Sequence, residues 1–214
     1  MFYQTIPYSD LSTFCASRNE VVVKAGERFI EQHGPVAHFK YLKKGLVKLH
    51  RTNQHNKEQI ITFCKPLDVI SIQNVFTEPT YNYSATALED SIICVFDIQA
   101  INALMRQNAD FALKMLAVSS KAINNILISA LDLISKSMYG KVASLLLYFS
   151  RTVYQRNEFE LPVSRKEIGQ YTGLSIETVI RVLSEFRKDG LIKVYGKTIS
   201  IVNEDKLMFY SEQQ

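Results

Sequence analysis

Cysteine is scarce in this 214-residue chain: Cys15, Cys64 and Cys94 stand far apart, with no C-x-x-C spacing. That pattern excludes a disulfide framework, a zinc knot or a Cys-ligated iron-sulfur cluster held within one chain, and it fits a reducing cytoplasm. A charge excess of one sign is also missing. Lys and Arg number 25 against 21 Asp and Glu, a formal charge of +4, which permits a polyanionic partner without demanding one. No unbroken apolar run approaches the roughly 20 residues that span a bilayer, because Lys, Asp, Asn or Gln interrupts each. Met1 to Asp10 has neither the basic start nor the apolar stretch of a signal peptide. A soluble, cytoplasmic protein without a membrane partner is expected. Repeats and low-complexity tracts are absent, and no nucleophile-base or paired-carboxylate motif points to an enzyme. What the chain does have is 47% hydrophobic and 21% charged residues, enough for one or two packed domains.

From Asn19 to Phe96, short runs rich in Val, Ile, Phe and Tyr alternate with turn residues. The runs are Glu20-Lys24, Arg28-Ile30, Phe39-Lys43, Leu46-Arg51, Gln59-Cys64, Val69-Ile72, Tyr83-Ala87 and Ile92-Phe96, and short strands at this spacing predict a sandwich or barrel. After Asp97 the period becomes helical through Ile98, Ile101, Leu104 and Met105. A longer helix follows from Asn108 to about Ser135, with Leu113, Leu116, Ser120, Ile123, Leu127, Ala130 and Ile134 on one narrow seam. Ser135 to Gly140 reads as a hinge, Lys141 to Tyr154 as an amphipathic helix, and Phe159 to Val163 as a short edge strand.

The C-terminal quarter carries the sharpest pattern. Ser164-Arg165-Lys166-Glu167 is an S-x-x-E capping box opening a short helix. Gly173 ends that helix, Ser175 caps a second one from Ile176 to Lys188, and Gly190 closes it. Two helices joined by a tight glycine turn form a helix-turn-helix, with Gly169 small enough for close approach. Leu191-Val194 and Thr198-Val202, joined through Tyr195-Gly196-Lys197, read as a hairpin wing.

The stretch from Ser164 to Leu183, followed by Gly190-Leu191-Ile192 and Gly196-Lys197, closely resembles the DNA-binding domain of the Crp/Fnr family of bacterial transcription regulators. Gly26-Glu27, Gly34, Tyr41, Gly45 and Val47 fall where that family's cyclic-nucleotide-binding β-roll has its turn glycines and packing residues. The resemblance implies an α+β chain: a jelly-roll β-roll over 1–107, a dimerisation helix and hinge over 108–138, and a winged helix-turn-helix over 139–214. It implies a homodimer on a palindromic duplex, and RNA polymerase as a further partner if the protein activates. Glu177 and Arg181 match the family's base-reading pair. Glu accepts from cytosine N4 and Arg donates to guanine O6 and N7, which suits a TGA-like half-site core, and Ile176 beside them is placed to pack on a thymine methyl. Ser164, Arg165, Ser175, Thr178 and Lys197 match phosphate contacts, which set register.

The effector pocket departs from the family. Cyclic-AMP binders place Glu on the ribose and Arg on the cyclic phosphate, and here Ile72 and Tyr83 stand in those places, beside Ser71 and Ser84. A neutral phenol does not replace a charged, bidentate donor, so cyclic AMP is not expected to bind in the usual mode. Cys15 alone cannot supply the N-terminal cysteine group of the oxygen-sensing members. No cofactor is expected, and the effector is unidentified. His33, His38, His50 and His55 read as surface groups, Tyr81 and Tyr83 as core, and Lys40, Lys43, Lys44 and Lys48 as a solvated face. The alternative from another class is a small-molecule-binding β-roll whose winged domain serves protein interaction.

Overall fold

Alternation of apolar and polar residues between Asn19 and Asp97 places each strand in one of two antiparallel sheets. The computed structural model describes residues 18–71 and 76–213, so Cys15 and Ile72 lie outside the described residues. The strands are β1 (Asn19–Val23), β2 (Arg28–Ile30), β3 (His38–Lys44), β4 (Val47–Thr52), β5 (Glu58–Cys64), β6 (Ser84–Ala87) and β7 (Ser91–Asp97). One sheet is ordered β1-β7-β3, the other β2-β6-β4-β5. In β3 the pleat sends Phe39 and Tyr41 into one core with Phe96 and Ile101, and Leu42 into another with Val47, Ile93 and Tyr81. The turn into β4 requires glycine: Gly45 has φ +97°, and a Cβ there would lie 2.8 Å from Ser91 Cα.

The run from Val69 does not form the expected strand. Only an isolated bridge joins Val69 to Tyr41. A Lys65-Pro66-Leu67-Asp68 turn precedes it, with Leu67 at φ 80° and the Asp68 carboxylate accepting from Lys65 N. The Ile70 and Ser71 amides then converge on one acceptor, Lys40 O, at 2.9 and 3.4 Å, so no ladder propagates.

Asp97 caps α1 (Ile98–Gln107), accepting from Gln99 N and Ala100 N. The long helix α2 (Ala109–Ser135) opens where Asn108 Oδ1 accepts from Phe111 N at 2.9 Å. Phe111 and Met115 are buried against the Phe39–Phe96 core, with Val118 and Ala122 packed beside them. The seam read from sequence lies on another face. Its large members run from 51% exposed at Ile123 to 78% at Ile134, Ser120 and Ala130 are exposed with them, and Ile128 and Leu131 widen the stripe. By length and composition this helix is apolar enough to cross a membrane, although Lys114, Lys121 and Asp132 break its apolar runs. The chain packs as two units divided inside α2, between Leu127 and Ile128.

In the second unit, α3 (Met138–Leu147) starts three residues earlier than expected, because Ser137 Oγ accepts from Gly140 N and caps it. Met138 to Gly140 are therefore helix, and the break after α2 narrows to Lys136 and Ser137. Beyond Leu147 the helix widens into a π-type stretch, Tyr148–Tyr154, closed by Gln155 at φ 52°. An unexpected C-terminal helix, α6, spans Glu204–Glu212 and is capped by Asn203. It explains Gly140, where a Cβ would lie 2.8 Å from Gln213 O. Strand β8 (Glu158–Glu160) is shorter than the expected Phe159–Val163; it stands at the edge of a sheet ordered β8-β10-β9, with β9 at Ile192–Tyr195 and β10 at Thr198–Ile201.

Candidate nucleic-acid interface

Two helices are set by their caps. In α4 (Arg165–Thr172), Ser164 Oγ accepts from Glu167 N while Glu167 Oε2 accepts from Ser164 N, the reciprocal box expected from the sequence. The Ser164 hydroxyl also donates to Glu167 at 2.8 Å, so its proton is engaged inside the cap. Gly173 turns the chain at φ +74°. Ser175 Oγ then accepts from Thr178 N at 3.1 Å and opens α5 (Ile176–Lys188). A Cβ on Gly169 would lie 2.6 Å from Leu174 O. The close approach that demands glycine is thus to the turn's carbonyl.

Helix α5 buries Val179, Val182, Leu183 and Phe186, which leaves its other side to solvent. There Ile176, Glu177, Ile180 and Arg181 are all exposed. The Glu177 carboxyl is held below the usual carboxylate range by its own backbone N–H and then by the Ser175 hydroxyl, so it stays an ionised acceptor at neutral pH. Arg181 donates through Nη2 to Met138 Sδ at 3.3 Å. A thioether is a weak acceptor, and the planar guanidinium retains donors for a stronger one. Near the other end, Glu185 accepts from the Tyr139 hydroxyl. Arg165 is half-buried, Ser175 exposed and Thr178 half-buried. Lys197 lies at the wing's tip, 82% exposed, with Glu160 4.0 Å away.

The helix α5 surface thus gathers Ile176, Glu177 and Arg181. Met138 against Arg181 was not anticipated, and Ile180 is exposed beside the charged pair. The first joins residues 43 apart and has no local signal, whereas Ile180 was legible as an apolar residue off the buried stripe.

In the β-roll several polar groups are buried and engaged. Tyr83 is 3% exposed, and its hydroxyl donates to Ile70 O at 2.6 Å; burial pushes its pKa up. Ser71 Oγ accepts from Lys40 N and Ser84 Oγ from Gln32 N. Ser84 sits on the pleat opposite Tyr83 and Ala85, so the structure does not bring it to the Tyr83 side. Lys40 and Lys48 are not on a solvated face. Lys40 reaches the Tyr81 hydroxyl at 3.2 Å, and Lys48, 7% exposed, pairs with Glu58 at 3.0 Å. Nor is His50 a surface group: at 1% exposure its Nε2 lies 2.9 Å from Thr86 Oγ1. Pleat alternation in β3 puts Lys40 on the Leu42 side, whereas in β4 it sends Val47 and Leu49 into that core and leaves Lys48 and His50 buried on the sheet's other face, beside Glu58 and Thr86. Tyr81 and Tyr83 are core, as read.

A β-roll followed by a long helix and a winged helix-turn-helix defines a class of DNA-binding regulators with an effector-type N-terminal domain. Residues 20–108 match the cyclic nucleotide-binding domain family and residues 140–210 the Crp-like helix-turn-helix domain family. The transcriptional activator protein anr of Pseudomonas aeruginosa is 30% identical over 189 residues, covering 86% of this chain and 77% of that protein. The fumarate nitrate reduction regulatory protein of Klebsiella oxytoca is 30% identical over 172 residues, covering 78% and 68%. FixK2 from Bradyrhizobium japonicum shares the fold, with a TM-score of 0.82 at 23% identity over 92% of this chain and 98% of that one. The chain belongs to the Crp/Fnr family of transcription regulators, and it is a DNA-binding regulator.

Proposed function

We propose that the chain acts as a homodimer on a palindromic duplex, reading bases with Glu177, Arg181 and Ile176. The observation that carries this is the α5 surface: an ionised acceptor and an underused guanidinium, exposed one turn apart on a helix whose other side is buried. Arg181 donates to guanine O6 and N7, Glu177 accepts from cytosine N4, and Ile176 packs on a thymine methyl. Arg165, Ser175, Thr178 and Lys197 contact phosphates; Ser164 contributes mainly through the cap it makes and its helix N-terminus. Residues 1–107 form the sensor, 108–138 the dimerisation helix and hinge, and 139–214 the DNA-binding domain. The stripe of Leu113, Leu116, Ser120, Ile123, Leu127, Ala130 and Ile134 on α2 pairs with its copy. Its exposure in a single chain supports dimer pairing over a membrane span, since Phe111 and Met115 on the same helix pack on the β-roll core. The protein works in the cytoplasm, with RNA polymerase as partner where it activates, and it has no enzymatic role.

Cyclic AMP is not the effector in the usual mode. Tyr83 occupies the phosphate-binding arginine's place and gives its only proton to Ile70 O, so the phosphate has no counter-charge there. The test is selection of bound duplexes from random DNA by the full chain. A palindrome with half-sites about 10 base pairs apart, centre to centre, is expected, together with a dimer by sedimentation. Recovery of no preferred sequence, or a monomer that binds the palindrome tightly, would contradict the proposal.

A further inference from the structure

Helix α5 carries two stripes on its solvent side. At 3.6 residues per turn, Glu177 and Arg181 form a charged stripe, and Ile176 and Ile180 form an apolar one about 100° around the helix from it. Ile176 is 41% and Ile180 53% exposed. Single exposed aliphatic residues are ordinary. These two are neighbours four residues apart, at the N-terminal end of the helix proposed to enter the major groove, and they flank the side chains proposed to read bases. Every other large apolar residue of α5, Val179, Val182, Leu183 and Phe186, is buried.

We infer that Ile180 is a specificity-determining residue: with Ile176 it forms an apolar surface that packs on thymine C5-methyl groups beside the G·C pair read by Arg181. The inference rests on the proposed DNA readout and extends it. The occupant follows from groove chemistry. A branched aliphatic side chain has no hydrogen bond to offer, and the apolar group that a base pair presents in the major groove is the thymine methyl. Set against guanine or cytosine edges instead, Ile180 would remove water from their acceptors and donors without replacing those hydrogen bonds, a cost that rejects such pairs. One side chain thereby favours A·T and disfavours G·C at the same position.

Uracil tests this directly, because it pairs as thymine does and lacks only the methyl. After the preferred duplex has been selected with the full chain, each thymine is replaced by deoxyuridine in turn, and binding is measured for the wild type, Ile180→Ala and Ile176→Ala. In the wild type, uracil at one or two positions per half-site is expected to weaken binding about fourfold each, the equivalent of about 0.8 kcal/mol for one buried methylene. Ile180→Ala should bind the thymine duplex more weakly and become indifferent to uracil at one of those positions, while keeping the wild-type preference at the guanine read by Arg181. Ile176→Ala should lose sensitivity at the other. A preferred duplex whose binding ignores uracil everywhere, or an Ile180→Ala variant as sensitive as the wild type, would overturn this inference and leave the proposed readout standing. Failure to select any preferred duplex would overturn the readout and the inference together.

Discussion

The β-roll and the winged helix treat their polar side chains in opposite ways. In the β-roll, Tyr83, Ser71 and Ser84 bond to backbone groups and Lys48 is paired with Glu58. In the winged helix, Glu177, Arg181 and Lys197 are left toward water. A hydrogen-bonding group already satisfied inside the protein must break that bond before it serves a ligand, at roughly 1–3 kcal/mol if its partner is left buried and alone. The winged helix therefore keeps its binding capacity on the surface. The β-roll uses these polar groups as structure.

The largest effect should come from the turn that fixes the recognition surface. Gly169→Leu sets a Cβ 2.6 Å from Leu174 O, a backbone atom that cannot swing aside, and we expect a loss of about 3 kcal/mol in denaturant unfolding of the winged unit. Specific DNA binding should fall with it. A Gly169→Leu protein of wild-type stability would show that the turn is softer than its packing suggests.

Next in size is the surface itself. Arg181→Ala should cost roughly 1–3 kcal/mol on the preferred duplex and relax selection at one G·C pair, whereas Lys197→Ala should weaken all sequences alike and reduce the salt dependence. Equal loss on preferred and scrambled DNA for Arg181→Ala would make it a phosphate contact and erase the contrast between the two side chains.

Within the β-roll, Tyr83→Phe should cost about 1–2 kcal/mol, because Ile70 O is left buried without its donor. Neither the wild type nor this variant should show calorimetric binding of cyclic AMP. Binding by the wild type at low-micromolar concentration would mean that the Tyr83 hydroxyl remains available after all.

Much of this architecture was legible in the sequence because local rules and tertiary packing agree there. The capping box at Ser164, the αL glycine at Gly173 and the apolar stripe of α5 each carry their own cause. The elements that depart from their local pattern do so through distant partners. Val69 looked like a strand residue, but its neighbours Ile70 and Ser71 share one carbonyl of β3. Gly140 looked like a flexible hinge, yet it is a packing glycine under α6. Helix α6 itself was signalled by Asn203 followed by Glu204 and Asp205, a cap with an acidic first turn. In the candidate site, exposure of Glu177 and Arg181 follows from helical period. The inward turn of Lys40 follows from strand period, whereas Lys48 and His50, on the face of β4 opposite Val47 and Leu49, are buried beside cross-strand partners, Glu58 and Thr86, that period alone does not reveal.

The smallest effect probes the burial of His50 through pH. Burial lowers the pKa of His50 below its ordinary 6.5; Glu58, 3.3 Å from Nδ1, opposes this, Lys48 and Arg28 reinforce it, and Glu31 weakly opposes it. The fold thus favours the neutral ring. Below pH 6.5 the unfolded chain takes up this proton more readily than the folded one, so stability that is full above that value is lost as pH falls through the folded pKa. Glutamine at this position keeps a polar group facing Thr86 but does not titrate. The free energy of unfolding, measured at about pH 7.5 and about pH 5.5, should fall further for the wild type than for His50→Gln, by at most about 1.4 kcal/mol. An identical fall in both proteins would show that the ring is protonated as easily in the fold as in water, and that the β-roll is wetter around His50 than its 1% exposure implies.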